Sequence, residues 1–197
     1  QIRASGHVAI SLSANTRILT DQWFQDVNAD TSSGLGSVSL LHNNGDSLTI
    51  KAGQVSVKAK GQGFGFTKAV KFHKGYWEAY ADSLNYWQEE KQIILNSKVY
   101  LSARRQEGCP DSVSASASTA KIQLDSGAFG KMILHNDARF DIIRLDSSGK
   151  TISTIHSDTA LVVFEEDRFL EIRVDGSVEI RITTPDSIES ILESTSS

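Results

Sequence analysis

Hydrophobic and polar residues alternate with a period of two along most of this chain. The clearest cases are 170–174 and 178–182, where Leu, Ile and Val fill every second position and Glu or Arg lies between them. The same alternation recurs in 7–13 and 54–60. Side chains of a β-strand point alternately to its two faces, so this period indicates strands with one buried face. The pattern predicts an all-β chain of roughly 12–15 short strands.

Short polar segments with the composition of turns separate these runs. Asp175-Gly176-Ser177 is predicted to be a hairpin loop, because three loop residues place Val174 opposite Val178 and keep the apolar residues on one face. Asn136-Asp137 and the segment 42–46 are predicted as turns from their composition. The close spacing favours an antiparallel meander, and we expect an antiparallel β-sandwich or jelly-roll-like fold.

A block of aromatic residues in mid-chain departs from this pattern. Residues 76–87 hold two of the three tryptophans and three of the four tyrosines. The spacing of Tyr76, Tyr80, Leu84 and Trp87 favours a mid-chain helix over a hairpin with its turn at 82–85. Such a stripe most often packs against a core, but amphipathic aromatics are also enriched in binding sites. The candidate binding residues are Tyr76, Trp77, Tyr80, Tyr86 and Trp87.

The end of the chain has the composition of a helix start. Thr184, Pro185 and Asp186 match an N-cap, a proline at the first helical position and an acid in the first turn. Apolar residues then recur at helical spacing, at Ile188 and in the Ile191-Leu192 pair. We therefore expect a short C-terminal helix from Pro185 to about Ser194.

Residues 1–197 are expected to form a single all-β domain. The serine- and alanine-rich run 112–119 has little to bury, so the region 106–119 is the candidate for an exposed loop or a domain boundary. A chain of this length buries roughly 70% of the surface that its unfolded form exposes, and needs no covalent staple. Cys109 is the only cysteine, which excludes an intrachain disulfide.

Charge and hydropathy exclude two classes of partner. The chain has 20 basic and 24 acidic residues, a net charge of −4, and the charges are interspersed. Binding to a phosphate backbone needs a concentrated cationic surface, so a nucleic-acid partner is disfavoured. No apolar run approaches the roughly 18–20 residues of a bilayer span, so no membrane span is expected.

No motif in the chain points to catalysis. A nucleophile elbow of the Gly-x-Ser-x-Gly type is absent, and the five histidines form no close pair of metal-ligand spacing. We therefore predict no cofactor, no metal and no catalytic residue. A carboxylate pair such as Glu78 and Asp82 has the composition that glycoside cleavage needs, but only their separation in space would define a site.

These observations favour a non-enzymatic structural or interaction protein. We expect a subunit of a virion, tail, fibre or other surface assembly, located outside the cell or on a virion surface. Its partners would be other protein subunits, in a homo-oligomer, and glycan is an additional candidate. The first alternative is a carbohydrate-binding module that uses the aromatic block 76–87, and the second is a glycan-active enzyme with acids near that block.

Overall fold

A computed structural model describes residues 1–44, 46–58, 62–103, 112–125, 128–146, 149–165, 168–184 and 187–194. These residues form one antiparallel sheet whose twelve strands lie side by side in chain order. The strands are β1 (Ile2–Ser11), β2 (Thr16–Asp26), β3 (Thr31–Asn44), β4 (Asp46–Lys58), β5 (Gly63–Lys74), β6 (Trp77–Trp87), β7 (Gln92–Ala103), β8 (Ser112–Asp125), β9 (Ala128–Asp146), β10 (Gly149–Glu165), β11 (Arg168–Thr184) and β12 (Ser187–Ser194).

The all-β and antiparallel predictions are confirmed, and the turn predicted in 42–46 falls between β3 and β4. The finer expectation of a sandwich or jelly roll is not shown, since every strand belongs to a single sheet. Most of the run 112–119, expected as a loop or boundary, lies within β8, while 104–111 falls outside the described residues. A single domain stays a prediction.

Both predicted helices are wrong. The aromatic block forms the turn before β6 and then β6 itself, which pairs with β5 and β7. The expected C-terminal helix is replaced by β12, which pairs with β11, although Pro185 and Asp186 lie outside the described residues. A short segment beside an unpaired strand gains backbone hydrogen bonds by extending the sheet, and this outweighs helical spacing over two turns.

The sheet curls so that its apolar face meets itself. The rings of Phe72 in β5 and Phe129 in β9 have centroids 5.9 Å apart, and Trp77 in β6 lies 5.2 Å from Phe164 in β10. In a flat sheet, strands four apart would be separated by roughly 19 Å. The concave inner face therefore holds the core, and the convex outer face carries the charged residues.

A line of β-bulges crosses the sheet at one level. Two residues of each odd-numbered strand lie opposite one residue of each even-numbered neighbour. A bulge sharpens the local twist and bends the strand, so the line marks where the sheet turns. The paired residues are Gly6-His7, Gly36-Ser37, Lys68-Ala69, Ser97-Lys98, Asn136-Asp137 and Gly176-Ser177, and the single ones are Asp21, Gly53, Asp82, Ser118 and Asp158.

The bulge line corrects the turns predicted at 136–137 and 175–177. Both segments lie inside long strands, β9 and β11, and form no hairpin. Asn136, Asp137 and Gly176 have φ angles of 60°, 65° and 90°, so the residue types that favour turns are needed here for the bulge itself. The sequence signal was real, but its structural consequence is a bend within a strand.

Two bulges are fastened by an aspartate from the neighbouring strand. The Ser37 N–H donates to Asp21 Oδ2 at 2.8 Å, and the Ser177 N–H donates to Asp158 Oδ2 at 3.0 Å. Each carboxylate occupies the space where the preceding glycine has no side chain. A Cβ added at Gly36 would lie 2.4 Å from Asp21 Oδ2, and one added at Gly176 would lie 2.2 Å from Asp158 Oδ2.

We predict that Gly36→Ala and Gly176→Ala each lower the free energy of unfolding by about 1–3 kcal/mol, because both add strain at positive φ and displace the carboxylate. Gly6→Ala is the matched control, since Gly6 has φ +98° and no atom within 4 Å of an added Cβ. Urea unfolding should show a smaller loss for Gly6→Ala. Equal losses in all three variants would contradict a role for the carboxylates.

We also predict that Phe129→Ala lowers the free energy of unfolding by about 3–5 kcal/mol, because the ring joins both halves of the curled sheet. Phe129 is buried and contacts Phe72, Trp77 and Phe164. Leu145→Ala is the control, since Leu145 is exposed and should change stability by less than about 0.5 kcal/mol. Similar losses in the two variants, measured by urea unfolding, would contradict the curled core.

Candidate functional site

The five aromatic residues singled out by the sequence do not share one surface. Trp77 and Tyr86 are each 3% exposed and belong to the core, where Tyr86 stacks on Phe64. Tyr80 is on the outer face and 40% exposed, and Tyr76 is in the β5–β6 turn and 50% exposed. Trp87 is half-buried, with its ring over Gly63. Alternation along β6 produces this split, and a binding role for the set stays a prediction.

The inner face offers a second surface, which sequence reasoning missed. On β8 to β11, beyond the bulge line from Phe129, its apolar residues are only half-buried. We call them the inner-face patch. No charged residue belongs to it, and Ser153 and Ser157 add hydroxyl groups at the same level. Its members are Val113, Ile142, Ile155, Val178, Ile180 and Ile182.

One cross-strand row shows how cover is lost along the sheet. Leu101, Ala115 and Phe140 lie opposite one another on β7, β8 and β9 and are buried. Ile155 on β10 and Ile180 on β11 continue the same row and are half-buried. The row stays apolar after the facing half of the sheet stops covering it. A concave apolar surface of this kind can take a ligand without unfolding the core.

The outer face carries two polar clefts on the same level of the sheet. The first, of about 330 Å³, lies on β8 to β11. Its charged groups are matched: Arg139 pairs with Asp141 at 3.1 Å, Arg181 with Glu179 at 3.0 Å, and His156 contacts Asp137. The Thr154 hydroxyl also donates to Asp141 at 2.7 Å. Because these charges satisfy one another, this cleft has no evident preference for a charged ligand.

The second cleft, of about 290 Å³, lies on β4 to β6 and is lined by Thr49, Lys51, Lys71, His73 and Glu78. The Lys71 ammonium is 3.5 Å from a Glu78 carboxylate oxygen and 5.1 Å from the centre of the Tyr80 ring. The Tyr80 hydroxyl donates to Glu78 at 3.3 Å. Hydrogen bonding with Tyr80, aided by the charge of Glu78, raises the pKa of Lys71, so this lysine stays protonated.

The described residues contain no group of three or more side chains that could hold a metal ion. The model has no helix, within the same described ranges, that is long and apolar enough to cross a membrane.

Comparisons with known proteins give one similarity of fold. No protein-family model matches the chain, and no curated protein matches it. Among solved structures, the chain is similar to LptH, the LptA-homologous periplasmic component of the lipopolysaccharide transport device of Pseudomonas aeruginosa. The sequence identity is 14% and the TM-score is 0.45, over 55% of this chain and 75% of that one.

This similarity corrects the functional expectation. A virion, tail, fibre or surface-assembly subunit is the wrong prediction, since the similar structure is a periplasmic transport component. That protein is named for transport rather than for catalysis, in line with a non-enzymatic chain. The carbohydrate-binding alternative also loses its shared platform, because Trp77 and Tyr86 are in the core. Glu78 and Asp82, the acids of the enzyme alternative, pair with Lys71 and Lys98.

Proposed function

We propose that this chain is a non-enzymatic binding protein that holds a ligand with acyl chains on its concave inner face. The observation that carries the proposal is the apolar row that passes from buried Phe140 to half-buried Ile155 and Ile180. Soluble proteins rarely leave contiguous apolar surface uncovered unless it binds something. Here the uncovered part continues the core without a break.

The shape and chemistry of the inner-face patch favour an alkyl chain over a protein surface. The patch is concave and made of branched aliphatic side chains, so a flexible chain can follow it where a flat surface would meet the rim. Each CH₂ group transferred from water contributes about 0.8 kcal/mol. The neighbouring Ser153 and Ser157 hydroxyls can accept a polar group at the point where a chain is attached.

The proposal also covers the finer fold and the location. In it, the two halves of the curled sheet face each other as the layers of a sandwich do, with the ligand entering where they part. The protein would act outside the cytoplasm, the coarser form of the location expected from the sequence.

We predict that Ile180→Asp weakens binding of a fluorescent fatty-acyl probe at least tenfold, because it places a charge on the apolar wall. Fluorescence titration with the purified chain measures the effect. Thr183→Asp is the matched control: Thr183 is exposed and lies on the opposite face of β11. Its affinity should stay within about twofold of the original. Equal weakening by both substitutions, or no probe binding by the original chain, would contradict the proposal.

A protein partner is a second candidate, supported by the open edge of the sheet. Strand β1 pairs with β2 on one side, and β12 lies at the far end of the strand order. Most residues of β1 are exposed, including Ile2. An edge strand presents unpaired N–H and C=O groups to which another chain can add a strand. A homo-oligomer joined through this edge is therefore part of the proposal.

We predict that Val8→Lys reduces self-association measured by sedimentation, because a charge on the inner side of an edge strand blocks strand addition. Val8 is half-buried against the core, while Ala9 is exposed on the other face of β1. Ala9→Lys is the matched control and should keep the original association. A monomer at all concentrations, or an oligomer that Val8→Lys leaves intact, would contradict pairing through β1.

A further inference from the structure

The outer-face cleft on β4 to β6 contains an unfavourable pairing of like charges. Lys51 and Lys71 are direct cross-strand partners, and both line the cleft. Like charges placed directly opposite each other on a sheet are destabilising. An arrangement of this kind is relieved when an anion lies between the two ammonium groups.

The acid in the cleft does not neutralise both lysines. Glu78 has a side chain only 12% exposed, contacts Lys71 at 3.5 Å and accepts a hydrogen bond from Tyr80. Within the part of the chain that the structure describes, Lys51 has no ion-pair partner. Its ammonium carries three donors on an exposed stem, free to turn toward a ligand in the cleft.

Two further donors face the same space. Thr49 and His73 are direct cross-strand partners one row away from the lysine pair, and both line the cleft. A threonine hydroxyl and an imidazole N–H can each donate to an oxyanion. The set differs from the other outer cleft, where each of Arg139, Arg181 and His156 contacts an acid.

We propose that this cleft binds a phosphate group, held between the ammonium groups of Lys51 and Lys71 with Thr49 and His73 as additional donors. Two cations with adjacent donors match a group that carries close to two negative charges and several acceptor oxygens. Glu78 and Tyr80 act as positioning residues, because they hold the Lys71 ammonium at the wall of the cleft.

This site is separate from the inner-face patch. Lys51 points outward, whereas its neighbour Ile50 is fully buried in the core. The cleft and the patch therefore lie on opposite faces and on different strands. Loss of phosphate binding would leave the acyl-chain proposal standing, and the reverse also holds.

The test is titration of the full chain with inorganic phosphate, followed by calorimetry and by the shift in melting temperature. We expect saturable binding and a rise in melting temperature, because a ligand that binds only the folded state stabilises it. Lys51→Gln should weaken binding at least about tenfold, in line with loss of one charge-assisted contact. It should not lower the melting temperature without phosphate, because it removes a repulsion.

Lys121→Gln is the matched control. Lys121 is exposed on β8, outside the cleft, and its substitution changes the net charge equally. It should leave phosphate binding unchanged. No saturable binding by the original chain, or equal weakening by Lys121→Gln and Lys51→Gln, would overturn the proposal.

A second arm distinguishes a lipid headgroup from free phosphate. Vesicles of phosphatidylcholine with and without phosphatidic acid are mixed with the original chain and with Lys51→Gln. Binding that requires both phosphatidic acid and Lys51 supports the site with a headgroup as the source. Binding of inorganic phosphate alone, still dependent on Lys51, supports it with a soluble source. Vesicle binding that Lys51→Gln leaves unchanged, without phosphate binding in solution, overturns it.

Discussion

A single meandering sheet has one apolar face and no second layer to cover it, so the sheet must curl until its own distant strands provide the cover. The contacts among Phe72, Trp77, Phe129 and Phe164 are where this happens, between strands that are far apart in the strand order. Burial of these rings is the main gain that opposes the entropy of ordering long strands. The other features of the molecule follow from how completely the curl closes.

The bulge line is how the sheet bends without losing its in-and-out alternation. Each even-numbered strand gains one residue between inward positions, as from Ala81 to Leu84, and each odd-numbered strand gains two, as from Leu134 to Ala138. Apolar positions thus stay on the inner face on both sides of the line. The same spacing misled sequence reasoning in β6, where a jump of three among steps of two imitates helical periodicity.

Function is divided between the two faces because the curl treats them differently. Where the facing half covers the inner face, side chains such as Val162 are core; where cover ends, Ile155 and Ile180 form a surface that an acyl chain can occupy. The outer face has no such constraint, so charges there can be grouped. One grouping is balanced, and the other leaves Lys51 facing Lys71 across adjacent strands.

The sequence by itself determined the strands, their antiparallel order and the turn-forming residues, because these depend on local alternation and on backbone preferences such as those of Gly36 and Gly176. It could not determine that the turn residues would form bulges, that 187–194 would extend the sheet, or that Trp77 and Tyr80 would face opposite ways. Those outcomes depend on which strand lies alongside, and pairing between strands is a contact that local sequence does not contain. Only the curled sheet decided where cover ends, since that depends on residues far apart in the chain.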